Sequence, residues 1–168
     1  MANSATVFGL PDAMLDAVRP GIALYGYSSA DEPFGLEPVM KIKTRVLAVR
    51  DLPAGTPVSY GRTFVTKRKS RIAVVSLGYA DGYNRFFSNN AEMLINGHRV
   101  PVIGRVCMDL TMLDVTDVGR VSEGDEVVVL GEQKGQAITA TELSRRSDTI
   151  PYEVLTSLGS RSRKEYVP

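Results

Sequence analysis

Met93-Leu94-Ile95-Asn96-Gly97-His98-Arg99-Val100 is the stretch that decides the fold class. Asn-Gly supplies the two positive-φ residues of a type I′ turn, and apolar-rich runs flank it on both sides. The reading is an antiparallel hairpin. Outward from it, residues 111–115 and 126–130 read as strands downstream, and 71–77 as a strand upstream. Met40, Ile42, Thr44, Val46 and Ala48 alternate with Lys41, Lys43 and Arg45, the period-two pattern of a long half-buried strand. One helix interrupts at 139–146, with Thr139 or Thr141 as its N-cap. Many short strands joined by Gly/Pro turns predict a mainly β domain, an antiparallel, Greek-key-like barrel with one short helix.

The first 35 residues read differently. Residues 11–18 suggest a short helix, with Pro11 at its first position and Met14, Leu15 and Val18 on one face. Arg19-Pro20-Gly21 breaks it. Ile22-Ala23-Leu24-Tyr25-Gly26 is almost wholly apolar, as in a strand buried on both faces of a parallel sheet. Residues 27–38, with Ser28, Ser29, Pro33, Gly35 and Pro38, read as a linker. The expected domains are 1–35, the end of an α/β unit plus linker, and 36–168, the β domain.

Composition narrows the function. Twenty basic and nineteen acidic residues give a net charge of +1, so no charged field points to nucleic acid or to a cationic partner. The single cysteine, Cys107, excludes an internal disulfide and a Cys-rich metal site. The single histidine, His98, excludes His-cluster zinc sites and argues against a Ser-His-Asp triad. No apolar run approaches the roughly 20 residues of a membrane span. Met1-Ala2-Asn3-Ser4 lacks a basic start and an apolar core, so no secretory leader is expected and the expected setting is cytoplasmic.

Several stretches could carry chemistry, each with an ordinary alternative. Val58-Ser59-Tyr60-Gly61-Arg62 could present a tyrosine base, because a nearby Arg favours the phenolate; equally it could be a strand end with a core aromatic. Gly78-Tyr79-Ala80-Asp81-Gly82-Tyr83-Asn84-Arg85 could form a polar, aromatic loop rim, or a turn closed by Asp81-Gly82. In Gly104-Arg105-Val106-Cys107-Met108-Asp109, Cys107 reads as a small buried hydrophobe before a nucleophile, and Asp109 as a cap or turn residue. Arg19-Pro20-Gly21-Ile22 could cradle a phosphate or be a lone turn. Pro151-Tyr152-Glu153 could be a proline stop with a packed tyrosine, and Arg161-Ser162-Arg163-Lys164 a solvated strand face.

In this order, with Ala2-Asn3-Ser4, Val18 to Gly26 and Pro151-Tyr152-Glu153, these stretches resemble alanine racemase, a pyridoxal-phosphate enzyme, over essentially the whole chain. The resemblance implies the end of a (β/α)₈ barrel followed by the complete β domain. It implies an isomerase that interconverts L- and D-alanine and supplies D-alanine for peptidoglycan. Tyr60 would be the base for one face of the substrate Cα, and a lysine the base for the other. Arg19 would face the pyridine nitrogen. Ser4, the amides of Gly21 and Ile22, and Tyr152 would hold the cofactor phosphate, while Met108 and Asp109 would stand beside the substrate carboxylate. Tyr79 and Arg85 would line the access corridor. Tyr60, Met108 and Asp109 would serve the partner subunit's site in a head-to-tail homodimer.

The sequence departs from that pattern in one respect. The family's cofactor-bearing lysine lies early in the barrel, and none of Lys41, Lys43, Lys67, Lys69, Lys134 or Lys164 stands in a matching context. The isolated chain is therefore expected to be inactive. Alternatives are a non-catalytic β module that dimerises or binds a partner, or a racemase of the same fold for serine or another amino acid.

Overall fold

The computed structural model describes residues 1–28 and 34–167, in two units, Met1–Lys41 and Ile42–Pro168. Residues 29–33 of the expected linker lie outside the described residues.

In the first unit, strand β1 (Ala2–Asn3) runs into helix α1 (Ser4–Gly9). The Asn3 side chain caps α1 by accepting from the Thr6 amide at 3.0 Å. Strand β2 (Val18–Arg19) pairs parallel with β1, placing Ala2 opposite Val18 and Asn3 opposite Arg19. Two expectations are corrected here. The helix expected over 11–18 is a single 3-10 turn, Pro11–Ala13. Its intended face, Met14, Leu15 and Val18, stays exposed, so no burial offsets the cost of nucleating a helix. The strand expected at 22–26 is a 3-10 turn, Ile22–Tyr25. A short apolar run does not distinguish a strand from a helical turn. Here only Ile22 is buried, at 3% exposed, while Leu24 is 66% exposed. Gly26 ends the turn at φ 80°, where a Cβ would lie 2.0 Å from the Glu37 carbonyl oxygen.

The second unit is β. Its strands are β3 (Ile42–Leu52), β4 (Pro57–Val58), β5 (Phe64–Val65), β6 (Ser70–Val75) and β7 (Glu92–Ile95). They continue with β8 (His98–Ile103), β9 (Thr111–Asp114), β10 (Glu126–Gln133) and β11 (Gln136–Ile138). Seven strands form one antiparallel sheet in the order β11-β10-β3-β6-β9-β8-β7, and β7 also pairs with β10, so the sheet closes on itself. The run β6-β9-β8-β7 has Greek-key connectivity. β4 and β5 form a separate hairpin.

The central hairpin forms as expected, with Asn96 at φ 53° and Gly97 at φ 84° between β7 and β8. On β3 the register shifts between Val46 and Ala48, a bulge that turns Leu47 outward. Val127, Val128, Val129 and Leu130 of β10 are fully buried, as are Met93, Leu94, Ile95, Val75 and Leu113, so both faces of these central strands are covered.

Helix α2 (Ala140–Arg146) starts at Thr139, whose hydroxyl accepts from the Glu142 amide at 3.0 Å. The single expected helix is corrected to two, because α3 spans Pro151–Ser157. Pro151 is not a stop. It occupies the first turn, where a missing N–H costs nothing. Among the described residues no helix is long and apolar enough to cross a membrane.

Candidate active site

The second unit holds a cavity of ≈ 650 Å³ lined by Tyr60, Tyr79, Arg85, Val106, Cys107, Met108, Asp109 and Leu110. Five of the residues singled out in the sequence therefore share one wall system: Tyr60, Tyr79, Arg85, Met108 and Asp109.

The β4–β5 hairpin positions Tyr60. Between the strands the chain makes a 3-10 turn, Tyr60–Arg62, with three positive φ angles in four residues: Ser59 65°, Gly61 70° and Arg62 50°. Such a run is costly for Ser59 and Arg62 and persists only where surroundings impose it. They do so here. The Ser59 hydroxyl donates to the Arg105 carbonyl at 2.7 Å, and Gly104 lies so close that a Cβ there would meet the Ser59 Cβ at 2.7 Å. Tyr60 is 73% exposed, which removes the reading of a core aromatic at a strand end.

Two loops build the opposite wall. Tyr79 N–H donates to the Cys107 carbonyl and Ala80 N–H to the Met108 carbonyl, both at 3.0 Å. The loops touch so closely at Gly78 that a Cβ would lie 2.2 Å from the Met108 carbonyl oxygen. Asp81 closes its own loop by accepting from Gly78 N–H at 2.9 Å. The Asp81-Gly82 turn and the polar rim are thus the same object.

Electrostatically the cavity is mixed. Among the described residues the Arg85 guanidinium has no side-chain partner and the Met108 amide no acceptor. Asp109 is paired, its Oδ1 accepting from Arg161 Nη2 at 2.6 Å. Cys107 is half-buried, its Sγ 3.6 Å from Ser59 Oγ, as a small packing residue would be. Arg161 corrects a further expectation, since the 161–164 run forms no strand.

The remaining candidates stand elsewhere. In the first unit the buried Ser4 Oγ accepts from the Gly21 amide at 2.8 Å and from the Ala23 amide at 3.4 Å. Its own proton remains to donate. Ile22 begins the 3-10 turn, so its N–H has no partner within the turn. A Cβ on Gly21 would meet nothing within 4 Å. A hydroxyl, free turn-end N–H and open space beside Gly21 fit a phosphate group. Arg19 lies on β2, exposed, two residues before Gly21. Tyr152 lies on α3 in the second unit and is not among the residues lining the cavity.

A family model described as alanine racemase, C-terminal domain, matches residues 39–166. The chain is 53% identical over 156 residues to an alanine racemase of Thermodesulfovibrio yellowstonii, covering 93% of this chain and 42% of that protein. It is similar to the structure of alanine racemase from Bartonella henselae with covalently bound pyridoxal phosphate. That similarity has a TM-score of 0.91 and 40% identity over 99% of this chain and 46% of that one. The structure of alanine racemase from Bacillus anthracis with bound L-Ala-P matches with a TM-score of 0.87 and 40% identity, over 94% of this chain and 41% of that one. The chain thus spans less than half the length of the relatives it matches.

Proposed function

The chain belongs to the alanine racemase C-terminal domain family, and from that membership we propose that it is part of a pyridoxal-phosphate-dependent racemase that interconverts L- and D-alanine. The observation that carries the proposal is the gathering of Tyr60, Met108 and Asp109 with Tyr79 and Arg85 around one cavity.

Each residue has a distinct task. Tyr60 takes and returns a proton at the substrate Cα through its phenolic oxygen, on one face. Its ring projects from a turn whose backbone is held at Ser59 by the Arg105 carbonyl and by the close approach of Gly104. The unpaired amide of Met108 receives a substrate carboxylate oxygen, and Asp109 borders the same end. Arg85 and Tyr79 draw the zwitterion in along the corridor. In the first unit Ser4 and the Ile22 amide would hold the cofactor phosphate, with the Gly21 amide keeping Ser4 Oγ in place, and Arg19 would serve its ring nitrogen; a phosphate role for Tyr152 rests on the family resemblance alone. The cofactor, when bound, withdraws electrons from the Cα and makes its proton acidic. A second base, a lysine in the segment of the relatives that these residues do not match, completes the opposite face.

We propose further that the enzyme is a homodimer in which Tyr60, Met108 and Asp109 serve the partner's site. Tyr60 and Met108 are exposed at the cavity mouth, as residues awaiting a second surface would be. The reaction would take place in the cytoplasm, where D-alanine feeds peptidoglycan synthesis.

The test is Tyr60→Phe in the full-length protein, which removes one hydroxyl and keeps the ring. Losing a general base costs about 10²–10⁴-fold. Because each base handles one face, solvent deuterium should enter one alanine enantiomer far more slowly than the other. Equal, near-wild-type exchange into both enantiomers would remove Tyr60 from the mechanism.

A further inference from the structure

Arg161 lies outside the residues lining the cavity, yet its guanidinium ties two of the walls together. Its Nε and Nη2 donate to Asp81 Oδ1 at 3.1 and 2.9 Å, and the same Nη2 donates to Asp109 Oδ1 at 2.6 Å. Asp81 belongs to the Tyr79 loop. Its carboxylate also accepts from Gly78 N–H, and its carbonyl accepts from Gly159 N–H at 2.8 Å. Asp109 belongs to the wall that carries Met108. One cation therefore bridges two carboxylates on different loops.

We propose that Arg161 is a positioning residue that fixes Asp109 and Met108 against the Tyr79 loop and so sets the substrate-carboxylate end of the cavity. This rests on the reading of the cavity as the racemase site. Without Arg161, two carboxylates that share one nitrogen would be left as like charges side by side, and like charges at that range disfavour each other. Asp109 would turn away and its loop would loosen. The backbone bonds from Tyr79 and Ala80 would remain, so the fold would persist. Lysine would restore a charge but not the fork that reaches both carboxylates. The two carboxylates in turn hold the Arg161 guanidinium above its usual pKa, the hydrogen bond to Asp109 being the largest cause.

Two measurements on the full-length protein test this with Arg161→Gln and Arg161→Lys. The first is the alkylation rate of Cys107 by iodoacetamide, an activity-independent probe because Cys107 is the single cysteine of this chain and lines the cavity. Any cysteines of the preceding segment are first replaced by serine. The second is the division of the effect between KM and kcat for alanine. Arg161→Gln should speed alkylation and raise KM about fivefold, with kcat within about twofold of wild type, since Tyr60 is untouched. Arg161→Lys should fall between. Unchanged alkylation would overturn the proposal, and so would a fall in kcat and melting temperature with KM unchanged. A wild-type protein that does not racemise alanine at all would sink the functional reading instead, leaving the alkylation rates to decide whether Arg161 holds the cavity wall.

Discussion

At the scale of single residues, the cavity depends on backbone approaches that allow no side chain. Gly78 has an ordinary extended φ of −151°, so it is not required for its conformation. It is required for space, because a Cβ would lie 2.2 Å from the Met108 carbonyl oxygen and 2.4 Å from that of Cys107. Gly78→Ala should therefore lower stability by about 1–3 kcal/mol, the usual cost of overpacking. Gly119→Ala, where a Cβ would meet nothing within 4 Å, should change stability by no more than about 0.5 kcal/mol. Urea unfolding midpoints of the two variants check this, and similar values would show that the two loops do not meet at Gly78. Tyr60, Tyr79, Arg85, Met108 and Asp109 were legible in the sequence because short motifs frame them. Arg161 was not. Its run looked like any solvated basic segment, and its partners lie 80 and 52 positions away.

At the scale of elements, the strands were easier to read than the helices. The central hairpin was legible from Asn96-Gly97 because the turn dictates its residues locally. The start of α2 was legible as Thr139 or Thr141, and it falls at Thr139, whose hydroxyl accepts from the Glu142 amide. Pro151 misled, since a proline after one helix looks the same as a proline opening the next. The 22–25 turn misled because four apolar residues carry no periodicity. Besides its buried Ala140 and Leu143, α2 is tied down by an ion-pair network that no local pattern announces. Arg99 binds both oxygens of Glu142 at 2.8 and 2.9 Å and meets Glu92 at 3.1 Å, and Arg146 reaches both acids at 3.3 Å. The hydrogen bond from Arg99 is the largest cause that holds Glu142 below its usual pKa. A depressed folded-state value means the stabilisation is present above the unfolded carboxylate value and is lost as pH falls through the folded one. Glu142→Gln should thus cost about 1 kcal/mol at pH 7. The gap to wild type should close as the pH drops below about 4, where the unfolded carboxylate protonates. Melting temperatures measured across pH would show this, and a gap independent of pH would mean that the charge of Glu142 does not hold α2.

At the scale of the whole molecule, one chain is proposed to serve two sites. Arg19 is proposed for the site of its own subunit and Tyr60 for the site of its partner, an arrangement that a twofold dimer repeats in reverse. The division is open to one direct measurement. Full-length Tyr60→Phe and Arg19→Glu proteins, each nearly inactive alone, are mixed, dissociated and reassociated, and alanine racemisation is followed. In a heterodimer, one site would inherit both lesions and the other neither. With random pairing, about a quarter of wild-type activity should return, one intact site in each of the mixed dimers. No recovery, with heterodimers demonstrated by mass spectrometry, would contradict the claim that Tyr60 of this chain acts in the partner's active site.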